Sequence, residues 1–218
     1  ADAFEQRQGQ ETAKVARHPA RSMGPEPGHA SIFWVGRDRR AQHKRYALQP
    51  PADRAPLDSA YATAMGAVLK RYPADPNAAT LYAEALMDLR PWRYWTNAGK
   101  PMAASTLVQL SVLERAVKRY PDHIGACHLY IHAIEASNEA AKALPCANRL
   151  AQLAPGAGHL VHMPSHIYLR LGMWEEAVEH NEHAVHADEK FIQDRHPTGV
   201  YPIGYYPCLL YTSDAADD

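Results

Sequence analysis

Residues 121–172 read PDHIGACHLYIHAIEASNEAAKALPCANRLAQLAPGAGHLVHMPSHIYLRLG. Two features of this stretch decide the fold. Pro121 and Pro155 each close a run of helix-forming residues, in RYPD and LAPG, and stand 34 residues apart. Proline ends a helix because it has no N–H to donate and its ring crowds the preceding turn. Between the two prolines, apolar and small residues recur at three and four, as on one side of a helix. They are Cys127, Tyr130, Ile131 and Ile134 in a first run, then Ala143, Ala147 and Leu150 in a second. The next unit repeats the pattern with Val161, Pro164, Ser165 and Tyr168, then Ala177 and Ala184, and turns at Gly172 and Trp174. A two-helix unit of this length cannot bury its apolar side alone, so it must stack on its neighbours.

The same reading extends towards the N-terminus. Pro73 lies 48 residues before Pro121, one repeat of 34 plus an insertion of 14, PWRYWTNAGKPMAA. The unit before the insertion offers Ala79, Tyr82, Ala83 and Leu86 to the core. From Asp58 onward the helical runs DSAYATAMGAVLKRYP, NAATLYAEALMDL, MAASTLVQLSVLERAVKRYP, HIGACHLYIHAIEAS, NEAAKALPCANRLAQLAP, GHLVHMPSHIYLRLG and WEEAVEHNEHAVHADEKFI follow one another with short connections. Nothing alternates as a strand does. The expectation is an all-α chain of antiparallel helix pairs. Pro164, inside a helical run, should bend its helix or delay its start.

By period and small-residue pattern, residues 58–190 resemble tetratricopeptide repeats, although the Trp and Gly of that family's first helix are missing from every unit. The resemblance implies a right-handed superhelical solenoid with ligands bound on its inner, concave side. More narrowly, LYAEALMDLRPW, HLYIHAIEAS, PGAGHLVHMPSHIYLRLG and YPIGYYP are similar to a bacterial group of tetratricopeptide proteins of unassigned activity. That likeness covers residues 46–207. Members of the group continue past YYP with further helices, whereas this chain reads CLLYTSDAADD over 208–218, which resembles a translated sequencing adaptor. The chain therefore reads as a truncated gene fragment. Three segments are expected: 1–45, irregular or weakly ordered and open to a reading-frame error; 46–207, the repeat domain; and 208–218, a disordered foreign tail.

The histidines carry the functional signal. His128 and His132 are four apart, as are His162 and His166, and the two pairs are offset by the repeat length of 34. Both pairs therefore lie on equivalent faces of successive first helices. His159 and Glu135 extend the stripe. One repeat earlier, Thr80 and Glu84 hold the equivalent positions, with Asp88 a turn beyond. This predicts Glu84, His132 and His166 in one line and Thr80, His128 and His162 in a parallel one, turned away from the partner helices. Neighbouring helices about 8–10 Å apart let imidazoles from both sides share a divalent metal at about 2.0–2.1 Å. Zinc is the first candidate. Aligned imidazoles equally suit packing and hydrogen bonding without a metal. His180, His183 and His186 fall in a charged second helix and read as solvated. Trp92, Tyr94 and Trp95 of the insertion read either as a cover for the groove mouth or as a cluster packed over helix ends.

Composition removes several classes. A net charge of −1, from 23 basic and 24 acidic side chains, gives no drive towards nucleic acid or anionic membrane. No stretch approaches twenty apolar residues, so no membrane span is expected. Three cysteines are too few and too scattered for a disulfide framework. A chain beginning at Ala1 leaves an upstream leader open, with the cytoplasm as the default compartment. Two functions remain. The first expectation is a binding or scaffold module with a histidine-lined concave groove for a peptide, a protein segment or a small ligand, with Arg170 its clear cation. The alternative is a divalent-metal-binding protein or metal-dependent hydrolase built on His128, His132, His162, His166, Glu84 and Glu135.

Overall fold

Proline and capping side chains set the helix boundaries. The computed structural model describes residues 40–49 and 51–199. Its helices are α1 Ala55–Arg71, α2 Pro76–Asp88, α3 Ala104–Arg119, α4 Ile124–Ile134, α5 Leu144–Leu153, α6 Gly158–Leu171 and α7 Trp174–Arg195, with short 3₁₀ turns at His43–Arg45 and Ala140–Ala143. Among the described residues there is no sheet, only an isolated bridge between Trp95 and Pro101. No helix among them is long and apolar enough to cross a membrane. Residues 1–39 of the segment expected at 1–45, residues 200–207 of the repeat domain and the whole of the segment expected at 208–218 lie outside the described residues.

Asp75 starts α2 by accepting the backbone N–H groups of Asn77 and Ala78. His123 does the same for α4, accepting from Ala126 at 3.0 Å through Nδ1. Burial lowers the His123 pKa against the pull of Asp75, keeping that nitrogen free to accept. Its other nitrogen, Nε2, donates to Asn77 Oδ1 at 3.1 Å and ties the starts of α2 and α4 together. Gly172 ends α6 at φ 73°, where the Schellman-like bonds Gly172 N–H to Leu169 and Met173 N–H to Tyr168 need a left-handed residue. The run NEAAKALPCANRLAQLAP was expected as one helix. It divides into the 3₁₀ turn and α5, because Pro145 stands in the first turn of α5 and has no N–H to continue the turn before it. Pro164 has the other outcome: α6 begins six residues earlier and runs through it.

The helices pack as consecutive pairs, α2 with α3, α4 with α5 and α6 with α7, while α4 also packs against α2 and α6. The first helices of the units thus lie side by side. Helices α4 and α6 start at Ile124 and Gly158, which keeps the spacing of 34. The core follows the expected stripe: Ala83, Cys127, Ile131, Ala143, Ala147, Leu150, Ser165 and Ala177 are fully buried, and Tyr82 is partly buried against them. Each buried Leu or Ile contributes about 1.5–3 kcal/mol. The insertion is anchored to this core. Tyr94 is buried, and Trp95 donates its indole N–H to the Ala133 carbonyl at 2.7 Å. Asn138 Nδ2 donates to the Ala98 carbonyl at 3.0 Å.

Candidate functional site

The histidine cluster forms between α4 and α6. One turn separates His128 from His132, and one turn separates His162 from His166, so each helix offers two imidazoles on one side. His159 enters from the first turn of α6 and places Nε2 3.1 Å from His128 Nε2. The rings of His132 and His166 meet edge to face with centroids 5.3 Å apart. Two ligand sets result. His128, His132 and His159 each bring a nitrogen within 4.8 Å of the others, and His132, Glu135 and His166 bring their donor atoms equally close. His132 belongs to both.

Glu135 joins the halves. It caps the C-terminus of α4, where the helix dipole disfavours a carboxylate. It is held there by His132 Nδ1–H, donating at 3.2 Å to Oε1, and by His166 Nδ1–H, donating to Oε2. Burial alone would raise its pKa, but the hydrogen bonds and charges of the two histidines bring it down to about 2. Burial first, then proximity to the other imidazoles, pushes His128 down to about 3 and His159 to about 4. His162 falls to about 4, chiefly through burial and His166, against a hydrogen bond to Asn181. These three rings are therefore neutral at pH 7, the form that ligates a metal.

The expected lines are altered in three places. His162 does face its partner helix: it is 4% exposed, and its Nδ1–H donates at 2.6 Å to Asn181 Oδ1 on α7. A polar partner inside the α6–α7 contact makes that burial tolerable. Glu84 does not join His132 and His166. Arg45 reaches it at 3.2 Å and Asp88 at 2.8 Å, Tyr61 donates to it at 3.4 Å, and the guanidinium lies 4.7 Å over the Tyr61 ring. A guanidinium is the stronger partner for two adjacent carboxylates, and the aromatic face adds to it. Thr80 does not join His128 and His162: it donates to the Pro76 carbonyl of its own helix at 2.7 Å. Arg170 is exposed in the last turn of α6. His183 and His186 are exposed, whereas His180 is half-buried against the Tyr168 ring.

Two residues, Asn181 and Arg45, enter the site or its surroundings without having been singled out for these roles, and Trp92 takes one of the two roles expected of it. Asn181 orients His162, and its signal was in the register of α7, where Ala177, Asn181, Ala184 and Asp188 share one buried stripe. Arg45 closes the segment expected to be irregular, and nothing in its spacing marked it. Trp92 was noted as a cover. It is 73% exposed, adopts φ 61°, and sets its ring edge to face with His132 at 5.3 Å. Tyr94 and Trp95 take the other expected role and pack into the core. Cys127 is a buried core residue, as is Ser165, whose Oγ lies 3.2 Å from His162 Nδ1.

No protein-family model, no curated protein and no solved structure matches this chain.

Proposed function

We propose that this chain is a helical-repeat protein that binds a divalent metal, zinc foremost, through His128, His132 and His159. The observation that carries the reading is the convergence of these three donors within 4.8 Å, from two helices held in register by the repeat. Their arrangement has the parts of a metal site. His128 and His159 are neutral, and Glu135 holds the Nδ1–H of His132, which leaves His132 Nε2 as the ligand atom. Three imidazoles leave a coordination position for water, which a divalent cation acidifies. That is the chemistry a hydrolase requires, and the hydrolase reading follows the metal reading.

The peptide-groove reading has less support. Of the groove residues, Asp88 is held by Arg45 and Thr80 by its own backbone, while the same Arg45 also removes Glu84 from the expected metal ligands. The finer architecture, a right-handed superhelix of tetratricopeptide type in a bacterial protein, is proposed together with the function. The spacing of 34 between the starts of α4 and α6 supports it, as does the side-by-side packing of α2, α4 and α6.

Elemental analysis of the purified chain tests the proposal, with His132→Ala as the comparison because His132 belongs to both ligand sets. The wild-type chain should carry metal at a fixed stoichiometry, and the variant should lose it while keeping its helical circular dichroism. A wild-type chain that takes up no zinc, cobalt or manganese on dialysis would sink the reading.

A further inference from the structure

Trp92 stands where the backbone asks for glycine. The Arg93 N–H donates to the Arg90 carbonyl at 3.0 Å and closes a turn with Pro91 and Trp92 at its centre. Proline followed by a residue at positive φ is the pattern of a type II turn, whose third position takes Gly or Asn. Trp92 holds that position at φ 61°. A bulky side chain is strained there. Burial does not offset the strain, because Trp92 is 73% exposed.

What the ring touches is the histidine cluster. It meets the His132 ring edge to face, with centroids 5.3 Å apart. His132 belongs to both ligand sets, so a ring set against it borders the metal in either. A metal about 2.0–2.1 Å from a His132 nitrogen lies within about 9 Å of the indole centre, the reach of a small ligand bound to that metal. The residues that follow hold the placement. Tyr94 is buried, and Trp95 donates at 2.7 Å to the carbonyl of Ala133, the residue after His132. A lone exposed Trp on a protein surface needs no explanation. A strained one, mostly exposed and held against a ligand histidine, is different, because it presents free indole surface beside the metal. Flat rings gain from stacking on an indole, or from meeting it edge to face, beyond the area they bury.

We infer that Trp92 is a ligand-binding residue, an aromatic platform for substrates that join a metal-binding head to a flat apolar group. The head takes the coordination position that three imidazoles leave open. The flat group lies against the indole. This rests on the His128–His132–His159 triad being a metal site. A plain cover for the groove needs only bulk, and does not distinguish a flat ligand from a small one.

The test loads the full chain with cobalt(II) and titrates it with acetohydroxamate and benzohydroxamate, read from the visible cobalt spectrum. Both probes carry the same metal-binding head, and only the second carries a flat ring. The wild type should bind benzohydroxamate about three- to tenfold more tightly. Trp92→Gly should keep the acetohydroxamate affinity and bind both probes about equally. Because glycine suits the turn, its melting temperature should fall by no more than about 4 °C. Equal binding of both probes by the wild type, or a preference that survives Trp92→Gly, overturns the platform and leaves the metal standing. A larger fall in melting temperature shows that packing of the ring offsets the strain, which removes the argument for the platform. Cobalt uptake without binding of either probe overturns the open position and the platform with it. No cobalt uptake by the wild type overturns the metal reading itself, and this one falls with it.

Discussion

Acidifying the metal-free chain should unfold it steeply, and the slope follows from the buried imidazoles. The native values are about 3 for His128 and about 4 for His159 and His162. An unfolded chain protonates the same rings near pH 6.5. Below that pH the unfolded state binds protons that the native state refuses. The stabilising contribution is therefore full above about pH 6.5 and is lost as pH falls towards the native values. Each such proton is worth about 1.4 kcal/mol per pH unit. Counting His128 and His162 in full, and half-buried His159 at half for solvent screening, gives about 2.5 protons. Between pH 7 and 5.5 the loss comes to about 3 kcal/mol, a large part of a typical 5–15 kcal/mol total. Glu135 adds nothing in this window. Its native value is depressed to about 2, so its contribution is lost only as pH falls below about 4.5. The assay is urea unfolding at a series of pH values with a chelator present. Replacing His162 by Gln should flatten the dependence by about 1 kcal/mol over the same window. Stability that is flat within about 0.5 kcal/mol from pH 7 to 5.5, or that rises on acidification, would refute the reasoning.

Three further outcomes are expected. Gly158→Ala would place a Cβ 2.0 Å from Asp188 Oδ1 and 2.8 Å from the Ala184 carbonyl, where α6 starts against α7. Overpacking of this kind costs about 1–3 kcal/mol, so the melting temperature should fall by about 2–12 °C, and an unchanged value would contradict the packing. Asp75→Ala removes the cap on two N–H groups of α2 and should cost about 1 kcal/mol in chemical unfolding. Arg45→Ala breaks two partly exposed ion pairs, and a loss above about 1 kcal/mol would show that the segment before α1 is more than loosely held.

The sequence was informative wherever the controlling distance is short along the chain or equal to the repeat. The prolines, the three-and-four spacing and the 34-residue offset led to paired helices, to the core from Ala79 to Ala184, and to four aligned histidines. His128 meeting His159, and Glu135 meeting His166, are contacts between adjacent first helices and follow from the same offset. Glu84 and Thr80 show the limit of that logic. Their repeat positions match those of the histidines, yet one is taken by Arg45 and the other by its own backbone.

What only the tertiary structure decided was the rotation of each helix about its axis and the identity of each long-range partner. The turn spacing places His162 and His166 together on α6, but it does not say that Asn181 of α7 holds one and Glu135 of α4 the other. Those two contacts set how each ring is turned within the cluster. A hydrogen bond is set within a few tenths of an ångström and a narrow angle. Periodicity locates a side chain only to a face of its helix, which is enough to gather the histidines and too coarse to determine what they hold.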